Sequence, residues 1–271
     1  MASGGIRRGG IALLVVIIVA SGVAFGARAL WHAVSTAAKS DGCTFGSYKL
    51  DLGQSQVAST MVSVVITRGL PERAAVLAIG AALQESKLRN IPAGQGDRDS
   101  VGVLQQRPSQ GWGSAQQLAD IHYATGKFLD ALVKLPNWQS DSLAAAIQAV
   151  QISADGQAYA KHEAQATAVS DAFTGKTPTG VSCDFGKPSQ VAAPSSVVKQ
   201  LTTDLPVSTP TIADKAVSVP GASWATTAWF VAHAEQYGID AVNYQGKEWT
   251  RTSGWRDSSG ASADRVEARL A

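Results

Sequence analysis

The chain has 271 residues, enough for one sizeable domain with smaller parts. Its formal net charge is only +2, from 23 basic and 21 acidic groups, which is too weak to attract a nucleic acid by long-range electrostatics. Two cysteines and four histidines, without a CxxC or HExxH pattern, form no ligand cluster for a metal. The composition therefore predicts no nucleic-acid partner and no metal, and no motif indicates a cofactor.

The N-terminal segment is the first predicted element. After Arg7 and Arg8, residues 9–27 carry no charge, and as a helix they would rise about 28 Å, close to the thickness of a bilayer core. The two arginines favour an N-terminus inside the cell. We therefore predict a membrane anchor over 9–30, within a region 1–42, and a single-pass protein whose bulk lies outside the cytoplasm. A cleaved signal peptide is the alternative.

Cysteines and composition divide the exported part. Cys43 and Cys183 suit an oxidising exterior, and a bond between them would close a domain 43–183 and remove loop entropy worth about 4–5 kcal/mol. Two unrelated buried thiols are the alternative. Residues 184–220 hold five of the ten prolines and predict a linker rich in Ser and Thr. Residues 221–271 hold four of the seven tryptophans and predict a small α+β domain.

Hydrophobic periodicity in the region 43–183 is mostly helical. A helix begins near Pro71 and continues through "ERAAVLAIGAALQESKL", and further helical patterns cover 115–134, 141–153 and 158–173. In the tail, "SWATTAWFVAHAEQYG" predicts a short helix and "IDAVNYQGKEWTR" a β-hairpin about a Gln-Gly turn. The predicted fold class is mainly α: a helical domain after an N-terminal transmembrane helix, followed by a small α+β domain.

Glu85 lies at the end of the first of these helices, next to a face of small apolar side chains. Positions 74, 78, 81 and 82 lie at helical spacing from it, and all are alanine. A carboxyl group at the end of such a face is partly desolvated, and desolvation favours the neutral form that a proton donor needs. The alternative is an ordinary i, i+4 ion pair with Arg89, worth about 0.3–0.5 kcal/mol.

The polar segment that follows suits a carbohydrate ligand. Residues 94–113 contain five glycines, together with Asp97, Asp99, Gln105 and Trp112. Glycines let the backbone approach a ligand closely, amide groups offer paired donors and acceptors, and tryptophan supplies a flat face for a sugar ring. An ordinary polar loop is the alternative.

Three stretches, "ESKLRN", "GDRDSVGVLQQ" and "LPNWQSDSLAAAIQAVQISADGQAYAKHEA", resemble in this order the lysozyme-like domain of soluble lytic transglycosylases and goose-type lysozymes. That family begins its site with Glu-Ser at a helix end, which Glu85 and Ser86 match. It continues with G-L-M-Q, which residues 102–105 match as G-V-L-Q. The resemblance implies that Glu85 is the general acid and base, that Ser86 and Gln105 bind substrate, and that the protein is bacterial and acts on the cell wall.

The resemblance also implies further site residues. Asp97 stands where goose-type lysozymes supply an aspartate, and it is a candidate second carboxylate together with Asp99. Where the family has A-Y-N-A-G, residues 149–153 read A-V-Q-I-S, so Gln151 replaces the asparagine as a substrate contact. The family's tyrosine is absent there, and Tyr159 is the candidate source of a hydroxyl, with a plain helix-face tyrosine as the alternative.

The implied activity is cleavage of the β-1,4 bond after N-acetylmuramic acid in peptidoglycan. Hydrolysis by two carboxylates needs a partner about 5–5.5 Å or about 6.5–9.5 Å from the acid, whereas lytic transglycosylases close a 1,6-anhydro ring with one glutamate. Because no second carboxylate is secure, we favour a transglycosylase over a lysozyme. A catalytically inert lysozyme-like glycan-binding or scaffold module is the alternative.

For 221–271 we predict a partner in the cell envelope or the wall itself, against the alternative that its aromatic residues only form a core.

Overall fold

The computed structural model describes residues 42–153 and 155–271. Elements are numbered within this part of the chain. The α-helices are α1 (Leu52–Thr67), α2 (Glu72–Glu85), α3 (Ala115–Leu118), α4 (Ile121–Leu132), α5 (Leu143–Gln151), α6 (Glu163–Phe173), α7 (Pro194–Asp204), α8 (Trp224–Ala232) and α9 (Ala234–Tyr237). Two 3-10 helices are η1 (Pro108–Gln110) and η2 (Gly156–His162). The strands are β1 (Gly42–Phe45), β2 (Tyr48–Asp51), β3 (Ser182–Asp184), β4 (Thr211–Ala213), β5 (Ala216–Pro220), β6 (Ile239–Tyr244), β7 (Lys247–Thr250), β8 (Gly254–Asp257) and β9 (Arg265–Leu270).

The strands form two antiparallel sheets, which corrects the predicted fold class. One sheet has three strands in the order β2-β1-β3, and the other has six in the order β4-β5-β9-β6-β7-β8. About 44% of the structure is helical and 19% is strand, so the prediction of a mainly α fold is wrong. The strands are only three to six residues long. Several pair with segments far away in the chain, and short-range periodicity does not reveal such pairing.

The predicted single-pass membrane localisation also needs correction. Among the helices of residues 42–153 and 155–271, none is both long and apolar enough to cross a bilayer. The segment predicted as the anchor, 9–30, lies outside the described residues.

The disulfide between Cys43 and Cys183 is confirmed. The two residues face each other on β1 and β3, with Cα atoms 4.0 Å apart, and they are bonded across a sequence separation of 140. Both side chains are buried. The bond therefore fastens the first described strand to the strand that follows the helical region.

Residues 184–220, predicted as a linker, contain α7, β4 and β5. Pro194 is the first residue of α7, a position where the missing N–H of proline is not needed. Val197 and Leu201 of this helix are fully buried, and β5 pairs along its length with β9. Proline content predicted an extended chain, but here one proline starts a helix and the segment packs into the structure.

The tail follows its predicted local pattern and packs against the helices. The hairpin of β6 and β7 turns at Gln245 and Gly246, whose φ angles are 45° and 72°, as in a type I′ turn. Trp229 and Trp249 are buried, and α8 contacts α1 and α6. The aromatic residues of the tail thus contribute to a core shared with the helical region.

Helix α2 lies at the centre of the helical region. It contacts α1, α4, α5, α6 and η2, and the residues from Ala74 to Leu83 are buried throughout. Gly80 lies so close to α5 that a Cβ atom there would sit 2.9 Å from Leu143 Cδ1. Small side chains allow this close packing of helices, and the C-terminal end of the buried helix reaches the surface at Glu85.

Candidate active site

Helix α2 ends at Glu85 because the chain then turns through two left-handed residues. Lys87 and Leu88 have φ angles of 56° and 58°, and the Leu88 N–H donates to the carbonyl of Ala82 at 3.0 Å. The Leu88 side chain is fully buried, which fixes the turn. The predicted helix extended through Leu88, whereas the observed turn leaves Glu85 as the last helical residue, half-buried at the surface.

A buried tyrosine holds one oxygen of Glu85. The hydroxyl of Tyr159, on η2, donates a hydrogen bond of 2.5 Å to Glu85 Oε1. Burial, and then this hydrogen bond, raise the pKa of Tyr159 far above its usual range, so the phenol remains a donor at any physiological pH. Within the described residues Glu85 Oε2 has no hydrogen-bond partner. One carboxyl oxygen is therefore held in place and the other is open to a ligand.

Arg89 does not form the alternative ion pair with Glu85. Its Nη2 atom lies 2.6 Å from Asp51 Oδ2, and the other oxygen of Asp51 caps helix α1 by accepting from the N–H of Gln54. Among the described residues, no cation forms an ion pair with Glu85. The carboxyl group is thus free of the neutralising partner that the helical spacing suggested.

Ser86, predicted to bind substrate, points into the protein. Its side chain is buried, and its hydroxyl lies 2.7 Å from the carbonyl of Val103 and 3.2 Å from that of Ala82. The same oxygen accepts from the N–H of Arg89 at 3.1 Å. The structure places Ser86 as a link between the end of α2 and the G-V-L-Q turn.

Gly102 and Gln105 shape that turn. Gly102 has a φ of 79°, and a Cβ atom there would lie 2.2 Å from the carbonyl oxygen of Leu118, so only glycine fits. Gln105 has a φ of 47°, and its side-chain amide donates to the carbonyl of Gly102 at 2.9 Å. The half-buried amide of Gln105, predicted to bind substrate, thus has one donor occupied by the turn itself.

Gln151 supports the same turn from the other side. At the end of α5, its amide nitrogen donates to the carbonyl of Leu104 at 3.0 Å. Residue Ile152 then has a left-handed φ of 50° and is 82% exposed. The adjoining Ser153 exchanges two hydrogen bonds with Gln148, at 2.9 and 3.0 Å. This Gln148–Ser153 pair was not predicted, and no sequence spacing signalled it.

Neither candidate second carboxylate has a hydrogen bond to Glu85 among the described residues. Asp99 lies 2.6 Å from Nε of Arg107 and accepts from the N–H of Ser109 at 2.8 Å. The hydrogen bonds from Ser109, followed by the one from Arg107, hold the pKa of Asp99 well below its usual range. Asp97 is 91% exposed, and its nearest cation is Arg98 at 3.9 Å. Asp99 is therefore a weak base occupied by the loop, and Asp97 extends into solvent.

The candidate site thus consists of one half-buried glutamate, a buried tyrosine bonded to it, and a glycine-dependent turn held by Ser86 and Gln151. In the described part of the chain, no three His, Cys, Asp or Glu side chains come together as metal ligands. Comparison with known proteins does not extend this description. No family model matches the chain, and no curated protein sequence matches it.

Proposed function

We propose that this protein cleaves the β-1,4 glycosidic bond of peptidoglycan, with Glu85 as general acid and base. The observation that carries the proposal is the environment of this carboxyl group. One oxygen is bonded to the buried hydroxyl of Tyr159 at 2.5 Å, and the other has no partner within the described residues. A general acid needs an oxygen that can reach the leaving group and a fixed orientation of its carboxyl group.

In the proposed reaction the two oxygens of Glu85 have different roles. In the first step the proton on Oε2 passes to the glycosidic oxygen, and the carboxyl group becomes an anion. A hydrogen bond from a hydroxyl to a carboxylate is stronger than one to a neutral carboxyl group, so Tyr159 stabilises the ionised product of this proton transfer. In the second step the same Oε2 accepts the proton of the sugar's 6-hydroxyl as the 1,6-anhydro ring closes.

The environment of the other acidic residues favours a transglycosylase over a hydrolase. A hydrolase of the two-carboxylate type needs a second carboxylate as nucleophile or base. Asp99 is engaged by Arg107 and by the backbone of Ser109, and Asp97 is exposed. A one-glutamate reaction does not need either of them.

Release of soluble muropeptides from purified peptidoglycan tests the proposal. Wild-type protein is expected to release them, Glu85→Gln to abolish release, and mass spectrometry to detect 1,6-anhydro ends. Glu267→Gln is the matched control, because Glu267 is an exposed glutamate on β9, and it should keep full activity. If wild-type protein releases no fragments, or if Glu85→Gln retains activity, the proposal is wrong. Reducing ends without anhydro rings would instead identify a hydrolase.

A catalytically inert glycan-binding module is the second candidate. The observation that favours it is the stretch 149–153, which replaces A-Y-N-A-G and where the amide of Gln151 is bonded to the backbone of Leu104. One of the two N–H donors of this amide is then not available to a sugar. Binding of wild-type protein to peptidoglycan without release of fragments is the outcome that identifies such a module.

A further inference from the structure

A cleft of about 380 Å³ lies beside the candidate acid, between the end of α2, the start of α1 and η2. Its polar lining is rich in nitrogen. Three lysines, a histidine and three glutamines contribute: Lys49, Lys87, Lys161, His162, Gln54, Gln84 and Gln165. None of the lining residues is an aspartate or glutamate. The cleft therefore has a cationic character.

The cleft shares a wall with the site of Glu85. Gln84 lines the cleft and directly precedes Glu85, and its Oε1 atom lies 3.0 Å from Nε2 of His162. Tyr159 and His162 are three residues apart on η2, and such residues lie above one another on a 3-10 helix. The bonds Tyr159–Glu85 and His162–Gln84 thus join the same two elements side by side. A ligand bound at Glu85 lies next to the cleft.

Lys87 and Lys161 provide positive charge that no carboxylate of the described residues neutralises. Both side chains are exposed, and within the described residues neither lies within 4 Å of an acidic group. By contrast, Lys176 and Lys247 have carboxylate partners at 2.8 and 2.6 Å. Burial, and then the charge of Lys161, lower the pKa of His162, so the positive charge of the cleft comes from its lysines and not from this imidazole.

The backbone of Lys87 is also fixed in position. Its φ of 56° is unusual for a residue with a side chain, and its carbonyl accepts from the Gln54 side chain at 2.8 Å. The backbone from which the charged Lys87 side chain extends is therefore fixed in the wall of the cleft.

We propose that this cleft binds a carboxylate of the peptide attached to the glycan next to the cleaved bond. The inference rests on the proposed function, since it takes peptidoglycan as the ligand. The lysines supply point charges for a carboxylate. Gln54 and Gln84 have their side-chain oxygens occupied but keep amide N–H groups, and the amide of Gln165 has no partner among the described residues, so the three side chains can bond to a peptide backbone. A phosphate group would use the lysines but not this set of amides, so an acidic peptide fits the lining better.

Binding to a protein that does not cleave tests the inference directly. Full-length Glu85→Gln protein is titrated calorimetrically with a disaccharide–peptide fragment carrying free carboxylates, with the same fragment amidated, and with inorganic phosphate. Adding Lys87→Gln and Lys161→Gln is expected to weaken binding of the acidic fragment roughly two- to tenfold, because each partly exposed ion contact contributes modestly. Lys134→Gln is the matched control, since Lys134 is exposed and outside the cleft. It should leave binding unchanged.

Salt provides a second measurement that needs no variant in the cleft. Raising the ionic strength should weaken binding of the acidic fragment and spare the amidated one. Equal binding of the two fragments, or an unchanged dissociation constant in the double lysine variant, overturns the inference. Binding of inorganic phosphate without binding of the acidic fragment also overturns it. Carboxylate-dependent binding by a wild-type protein that releases no muropeptides would contradict the proposed cleavage but support the cleft as a carboxylate site. Release of muropeptides without carboxylate-dependent binding would support the cleavage and contradict the cleft assignment.

Discussion

Replacing Ser86 with alanine should destabilise the protein although it removes only one hydroxyl. The carbonyl of Val103, 2.7 Å from that hydroxyl, accepts no other hydrogen bond among the described residues, and Ser86 is only 7% exposed. A buried acceptor that loses its partner costs about 1–3 kcal/mol. A loss near 2 kcal/mol lowers the melting temperature of a domain of this size by roughly 4–8 °C.

Ser63→Ala is the matched control for this measurement. Ser63 is also a buried serine, but its hydroxyl bonds to the carbonyl of Thr60 within α1 at 2.7 Å, and a carbonyl inside a helix already has a backbone partner. Urea denaturation followed by tryptophan fluorescence gives the free energy of unfolding of both variants. If Ser86→Ala lies within about 0.5 kcal/mol of Ser63→Ala, the interpretation of Ser86 as a link to the G-V-L-Q turn is refuted.

Three further predictions concern activity, pH and oxidation. Tyr159→Phe removes the hydrogen bond to the candidate acid and should lower kcat for muropeptide release by about 10- to 100-fold, equal to about 1.4–2.7 kcal/mol in the barrier. The hydrogen bond and charge of Asp204 raise the pKa of His122. The contribution of this pair to the free energy of unfolding should therefore be complete below the ordinary histidine pKa near 6.5 and be lost as the pH rises through the raised pKa of His122. The urea midpoints of wild type and His122→Gln should accordingly converge at high pH. Reducing the bond between Cys43 and Cys183 should lower the free energy of unfolding by up to about 5 kcal/mol, as measured by denaturation with and without dithiothreitol.

Each of these predictions has a clear contrary outcome. Unchanged kcat in the tyrosine variant would mean that the phenol does not position the acid. A midpoint difference that grows as pH rises would reverse the predicted sign for the histidine pair. The pair contributes modestly in any case, because 38% of the His122 side chain is exposed. Identical denaturation curves with and without reductant would contradict the loop-entropy argument.

The local features of the fold were predictable and the distant pairings were not. Hydrophobic periodicity predicted α2, and the Gln-Gly turn predicted the hairpin of β6 and β7, because both signals lie within a few residues. Helix α1 was missed because its residues include many serines and β-branched side chains, which have lower helix propensity. The readable signal was the capping box of Asp51 and Gln54. The pairing of β1 with β3 joins residues about 140 positions apart, and only the cysteines hinted at it.

The candidate site divides in the same way. Glu85 was predictable as a site residue because it lies at the end of a helix, and helical spacing places it on the same face as four alanines. Its bond to Tyr159 crosses 74 positions and depends on how η2 packs against α2, which spacing does not encode. The pairing of Asp99 with Arg107 could have been suspected from opposite charges in one glycine-rich segment. Nothing in the sequence showed that this ion pair would engage Asp99 and so remove it as a second carboxylate.

The contacts of the tail with β3 also determine what proteolysis or truncation of the chain does to the structure. Trp249 and Trp255 of the tail donate their indole N–H groups to the carbonyls of Cys183 and Val181, so the tail is hydrogen-bonded to β3, which the disulfide holds, and to the residue that precedes this strand. A protease that cleaves near Pro206 would leave the pieces together through these contacts and through α7. A fragment ending at residue 183 would expose both carbonyls and the apolar surface beneath the tryptophans. Truncation at that point therefore removes part of the core, and the tail must be probed by point substitutions in the intact chain.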